Sequence, residues 1–229
     1  MGQITPIEFV EYTHVLMYGS EKTLSLPSSG KSVSGAASMI RILGIVGSPR
    51  VRGNTDKLVA EALKAAKEDG AKTELLRLAL GKIQPCDACE NCKKMGECRI
   101  KDDFGPIFDK MVDADGIILA TPVYFGSATP QIKALIDRAG YLSVAKGRVF
   151  ENKVGGALVV ARRAGHNFTL AQLLFFFLHQ GMIIPGSTYW NIAFGRERGE
   201  VSKDEEGLRA ARNFGKKMVW LIRKTKCIE

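Results

Sequence analysis

Ile40-Arg-Ile-Leu-Gly-Ile-Val46, running into Gly47-Ser-Pro-Arg-Val-Arg-Gly-Asn-Thr55, is the stretch on which the fold turns. A short apolar, β-branched run bounded by a Gly/Ser/Pro loop reads as a buried strand. Asn54 or Thr55 then caps a helix whose apolar face is Leu58, Val59, Ala62, Leu63 and Ala66, and Gly70 stops it. The loop between strand and helix is not a Walker loop, because no Gly-Lys-Ser/Thr is present. The spacing of Gly44 and Gly47 is also wrong for a dinucleotide fingerprint. Its chemistry nevertheless suits a phosphate. Gly47 and Gly53 let backbone N–H groups approach, Ser48, Asn54 and Thr55 offer short donors, and Arg50 offers a charged fork.

Downstream the same alternation recurs. Thr73 to Leu78 reads as a second strand and Gly116 to Thr121 as a third. Val154 to Ala161 reads as a fourth, and Met182-Ile-Ile-Pro185 as a short fifth. Between them lie helices carrying Phe104, Ile107, Phe108 and Met111, capped by Asp102 and Asp103. Another begins with Thr129 as cap and Pro130 at its first position, and Gly140 is read as its stop. An apolar helix follows Asn167 and ends near Gly181. A last helix from about Lys203 buries Leu208, Ala211, Gly215, Met218 and Ile222. Repeated βα units with right-handed crossovers build a parallel sheet covered by helices on both faces. The expected fold is therefore α/β, a doubly wound five-stranded parallel sheet.

Residues 1–38 do not share this pattern. Gly19 to Ser38 is rich in Ser, Gly and Lys and reads as a flexible linker. The expected division is a flexible N-terminal extension over 1–38 and one domain over 39–229. Apolar content of 45% and charged content of 25% are ordinary for a soluble globular chain. The densest apolar patch, Leu173 to Leu178, is too short to span a bilayer, and no signal-peptide pattern opens the chain. A cytoplasmic protein with no membrane association is expected. The net charge of +9 is spread among Asp and Glu at helical spacing, as on a solvated face, which argues against nucleic acid. The one local excess of cations lies on the last helix, with Arg209, Arg212, Lys216, Lys217, Arg223, Lys224 and Lys226.

Four of the five cysteines fall in Cys86-Asp-Ala-Cys89-Glu-Asn-Cys92-Lys-Lys-Met-Gly-Glu-Cys98, inserted between the second strand and the next helix. Three recur at x2 spacing on one tight turn, and Gly96 lets the chain fold back to bring Cys98 in. Thiolates select soft centres: zinc, copper(I) and iron–sulfur clusters. With no second Cys set elsewhere and Arg99 after Cys98, the four close one site, and a single [4Fe–4S] cluster is the favoured occupant. A structural zinc ion, which more usually takes separated Cys pairs, and disulfides are the competing readings. Cys227 is a spare thiol.

Ligands of such sheets bind at the carboxyl ends of the strands. Besides the 47–55 loop, two others end there. Pro122-Val123-Tyr124-Phe125-Gly126-Ser127 places aromatics beside Gly, giving a flat apolar wall and free N–H groups for a planar ring. Arg162-Arg163-Ala-Gly165-His-Asn167 brings cations and Gly backbone to the same ring; His166 by itself reads as an incidental surface histidine. Together the three loops point to a flavin mononucleotide, FMN.

On the phosphate loop, the Cys86-x2-Cys89-x2-Cys92-x5-Cys98 motif and Thr121-Pro-Val-Tyr124, the chain resembles the iron–sulfur flavoproteins of archaea and anaerobic bacteria. These lie within the flavodoxin-like, NAD(P)H-dependent FMN reductase superfamily. The resemblance covers about residues 40–225 and is most specific at the cysteines. It implies a flavodoxin-like sheet, FMN and one [4Fe–4S] cluster. It also implies a homo-oligomer, dimer or tetramer, in which a cluster lies near a neighbouring subunit's flavin. The implied activity is that of an oxidoreductase taking electrons from a ferredoxin-type donor and passing them to oxygen, peroxide or a quinone. No catalytic acid, base or nucleophile is required of the protein, which positions and tunes its cofactors.

Two other functions are compatible with the sequence. One is a direct NAD(P)H-dependent flavin or quinone reductase whose cysteine site is vestigial or holds zinc. The other is a cluster-based redox sensor without turnover. An acidic ferredoxin would be steered by the basic last helix, with Lys216 and Lys217 as its candidate contacts.

Overall fold

The computed structural model describes residues 39–226; the expected flexible extension over 1–38 and the thiol of Cys227 lie outside the described residues. In chain order the main elements are β1 (Arg41–Val46), α1 (Asn54–Glu68), β2 (Lys72–Arg77), α2 (Asn91–Met95), α3 (Phe104–Asp113), β3 (Gly116–Pro122), α4 (Pro130–Ala145), β4 (Val154–Ala161), α5 (His166–His179), β5 (Ile192–Phe194) and α6 (Glu205–Thr225). The strands form one sheet in the order β2-β1-β3-β4-β5, and every pair is parallel. This is the flavodoxin-like doubly wound sheet expected from the sequence.

Strand periodicity explains the two cores. Along β1, Leu43 and Ile45 face one side, and Ile42 and Val46 face the other. β3 and β4 repeat the alternation with Ile117, Leu119 and Val159 against Ile118, Ala120 and Val160. α3, α4 and α5 cover the first side, and α1 and α6 the second. Each fully buried Leu, Ile or Phe side chain contributes about 1.5–3 kcal/mol, and both layers contain several. α1 and α6 touch backbone to backbone: a Cβ on Gly215 would lie 2.0 Å from the Ala62 carbonyl oxygen, so only glycine fits there.

Three local expectations are corrected. The fifth strand is Ile192–Phe194, paired with Val159–Ala161 at the carboxyl end of β4. Met182 to Pro185 makes only a bridge, Val154 with Ile183, at the opposite end of β4. Pro185 has no N–H to carry that pairing further. The edge of the sheet is thus divided between two segments. α4 also continues past Gly140 to Ala145, because Gly140 faces Gln180 and Phe176 closely and the later turn carries the buried Leu142 and Ser143. Finally, Gly53 rather than Asn54 or Thr55 is the N-cap of α1.

β1 has β2 on one side and β3 on the other, so its flanking connections leave in opposite directions. The crevice beyond the carboxyl ends of β1 and β3 is where such a sheet binds ligands.

Candidate functional site

A cavity of about 240 Å³ lies in that crevice, lined by Ser48, Arg50, Gly53, Asn54, Thr55, Pro122, Val123, Tyr124 and Arg162, all singled out in the sequence. The 47–55 loop is built for it. The Gly47 N–H donates to the Ala120 carbonyl (2.7 Å), and the buried Thr129 hydroxyl donates to the Gly47 carbonyl (2.7 Å). These bonds lock the end of β1 to β3 and to the start of α4. A Cβ on Gly47 would lie 2.0 Å from an Ile132 carbon, so the close approach of α4 requires glycine. Ser48 Oγ accepts from the Arg50 N–H at 3.2 Å and rounds the loop. Asp56, buried in the first turn of α1, accepts from the Arg52 N–H and pairs with Arg77 at 2.6 Å.

α1 then begins with no side chain capping its first N–H groups. Those donors and the positive end of a 15-residue helix face a cavity that also holds guanidinium groups, a fit for a phosphate rather than for a neutral ligand. Pro122, Val123 and Tyr124 supply the apolar wall. The chain turns back tightly after them, through mutual bonds between the Tyr124 and Ser127 backbones.

The remaining sequence-predicted residues lie beside the cavity without lining it. Phe125 and Gly126 form the exposed tip of that turn. Ser127 is drawn aside by a 2.9 Å bond to Gln172 on α5. Gly165 sits at the start of α5, packed on Val123 and Gly126, so it braces the wall from behind; Arg163 is exposed beside it. His166 is not a surface histidine. It is buried, hydrogen-bonded to the Ala193 carbonyl (3.1 Å), and burial lowers its pKa against the weaker pull of that carbonyl and Asp204.

Five cavity residues escaped the sequence reading: Val160, Ala161, Gly195, Arg196 and Arg198. The last three belong to the loop after β5, which came into view only once β5 itself was located. Asn54 explains how that loop is held. Its side chain donates to the Glu197 carbonyl (2.8 Å) and accepts from the N–H groups of Gly199 (2.8 Å) and Val201 (3.3 Å). Asn54 therefore serves as a clamp between two loops. Arg198 in turn donates to the Val51 carbonyl. The Gly-Arg-Glu-Arg-Gly run over 195–199 was the available signal.

Cys86, Cys89, Cys92 and Cys98 line one separate cavity, with Arg138, Tyr141 and Leu142 of α4 as its floor. Ala88 and Glu90 adopt left-handed backbone (φ 56° and 57°), as does Gly96 (φ 68°), and these reversals turn the chain between successive cysteines. For a residue with a Cβ that conformation costs about 1–2 kcal/mol, a strain typical of functional loops. No disulfide joins any of the four in this structure. Among the described residues no three Cys, His, Asp or Glu side chains gather closely enough to hold a single metal ion. All four cysteines belong to the lining of that one cavity.

Arg138 is the fixed feature of this second site. It is 2% exposed, stacks 4.1 Å above the Phe104 ring, and pairs through both terminal nitrogens with Asp102 (2.7 and 3.0 Å). Burial pushes the Asp102 carboxyl up. The guanidinium and the N–H groups of Gln84 and Phe104 outweigh it and hold the carboxyl below its ordinary value. Around the cysteines the surface charges pair locally, Lys93 with Glu90, Arg99 with Asp87 and Lys101 with Glu97. Lys216 and Lys217 are exposed on α6, across the sheet from the cysteine loop.

Comparison with known proteins identifies the family and the fold. Residues 40–197 match the NADPH-dependent FMN reductase family. The chain is 42% identical to the iron–sulfur flavoprotein MJ1083 of Methanocaldococcus jannaschii over 80% of its own length and 98% of that protein's. Among solved structures it is similar to RosB bound to 8-demethyl-8-formylriboflavin-5'-phosphate, with a TM-score of 0.68 at 18% identity over 82% and 80% of the two chains. It is also similar to a flavodoxin, a WrbA-like protein from Agrobacterium tumefaciens, with a TM-score of 0.54 at 18% identity over 82% and 99%.

Proposed function

The chain belongs to the NADPH-dependent FMN reductase family as an iron–sulfur flavoprotein, a flavin-dependent oxidoreductase, and on that premise we propose where its two cofactors sit. FMN occupies the cavity beyond β1 and β3. A single [4Fe–4S] cluster is held by Cys86, Cys89, Cys92 and Cys98. When bound, the pair lets the enzyme take electrons singly from a ferredoxin-type donor and deliver one or two to a small acceptor such as oxygen, peroxide or a quinone. The observation that carries this reading is one chain with two distinct built cavities, one lined by four thiols and one walled by guanidinium groups and an uncapped helix start.

The residues divide the work. Ser48, Thr55, Arg50 and the first N–H groups of α1 hold the phosphate, and Pro122 to Tyr124 support the ring. Four cysteines lining one cavity match in number and kind the thiolates that would hold a [4Fe–4S] cluster. α4 joins the sites: its start is bonded to Gly47, and Arg138 lies eight residues beyond Pro130, about 12 Å along the axis. Homo-oligomerisation is supported by the apolar strip of Tyr141 and Val144 on α4 with Phe175 and Leu178 on α5, since Tyr141 and Phe175 are 56% and 68% exposed.

Anaerobic reduction kinetics test the donor. Surface charges are screened within about 10 Å at 0.1 M salt. Reduction by an acidic ferredoxin should therefore slow between low and moderate ionic strength, while reduction by dithionite changes much less. Steady oxidation of NAD(P)H by the pure protein, with a ferredoxin reaction indifferent to salt, would favour the direct reductase instead.

A further inference from the structure

A buried arginine–carboxylate pair is seldom justified by stability, because desolvation consumes most of the Coulombic gain. Arg138 and Asp102 need another explanation, and their hydrogen bonds supply one. One terminal nitrogen of Arg138 donates to the Gln84 carbonyl (3.1 Å) and to Asp102. The other donates to Asp102, to the Ile100 carbonyl (3.1 Å) and to the sulfur of Cys98 (3.2 Å). Asp102 accepts in addition from the backbone N–H groups of Gln84 (2.8 Å) and Phe104 (3.1 Å). Gln84 precedes the cysteine loop, and Ile100 and Asp102 follow it. The pair thus closes the loop at its neck and aims a guanidinium N–H at one of its four sulfurs. Because the carboxylate and the Phe104 ring fix the guanidinium plane, that donor does not wander.

We propose that Arg138 is the positioning residue that sets the reduction potential of the iron–sulfur site, through its hydrogen bond to Cys98. The proposal rests on the reading that the four cysteines hold a cluster. Hydrogen bonds to ligand sulfurs are among the factors that set cluster potentials. Adding one electron makes the cluster and its thiolates more negative. A charged donor fixed at Cys98 stabilises that state more than the oxidised one and raises the potential. Leu142 lines the same cavity without a polar group; Arg99 also lines it, beside Cys89, but it is exposed and paired with Asp87, so its donor is not fixed by burial as that of Arg138 is.

The test uses the anaerobically reconstituted full chain, with the cluster potential measured by redox titration under EPR and the flavin potential read in the same sample. Arg138→Gln should lower the cluster potential enough to change the reduced-to-oxidised ratio about tenfold at the wild-type midpoint, the scale of one lost charged hydrogen bond. The flavin potential should stay in place. Arg138→Lys, which keeps the charge but cannot span Asp102 and Cys98 together, should give a smaller shift in the same direction. Lys101→Gln, which removes an exposed charge from the same loop, should leave the potential unchanged. An unshifted potential in a loaded Arg138 variant, or an equal shift in Lys101→Gln, would overturn the proposal. So would failure of both Arg138 variants to take up iron, which would make the residue a loop brace alone. A wild-type chain without a cluster signal would sink the cofactor reading itself, an outcome visible before any variant is made.

Discussion

Cys89→Ser is expected to give a folded chain with FMN at the wild-type level and with little or no iron. Cys89 is exposed in its loop, between two residues with left-handed backbone, and nothing in either core depends on it. A hydroxyl is a poor ligand where a soft thiolate is required, so one substitution breaks the four-cysteine set. The flavin cavity takes its lining from the loops after β1, β3, β4 and β5, and none of it from residues 86–98. The two cofactors should therefore separate cleanly. Iron and flavin analysis of the purified variant, with circular dichroism to verify folding, checks this. Loss of FMN together with iron from a folded chain would mean that the sites are not independent.

Arg50→Ala should weaken FMN binding by about tenfold to a hundredfold, the loss of one hydrogen bond to a charged group. Riboflavin, which lacks the phosphate, should bind almost as before. Arg198 cannot simply replace the lost cation, because its guanidinium is engaged with the Val51 carbonyl. Titration of the apoprotein with each ligand, followed by flavin fluorescence, measures the difference. Equal losses for the two ligands would move Arg50 away from the phosphate.

Much of this architecture could be read from local pattern, and its gaps have physical causes. The β1 strand, its loop and the Thr129-Pro130 start of α4 were legible because their chemistry is local: a buried apolar run, and a cap followed by proline. The cysteine site was legible because ligand type and spacing carry the information. β5 was missed because three residues at a sheet edge make no periodic signal, and the more apolar Met182 to Pro185 competes with them. With β5 went the loop bearing Arg196 and Arg198. Gly140 resembled a helix stop, and tertiary packing overrode that propensity. Asn54 was assigned to the ligand, whereas its partners lie more than 140 residues away in sequence. Arg138 was invisible for the same reason. Its role exists only because α4 passes beneath a loop that ends 40 residues earlier.

The central claim, one four-cysteine cluster and one FMN in the same chain, is tested most directly by elemental and flavin analysis of protein purified without oxygen. The account predicts about four irons and four acid-labile sulfides per chain, with FMN near one per chain and zinc near zero. One zinc per chain without sulfide, or a chain that holds no flavin, would contradict it.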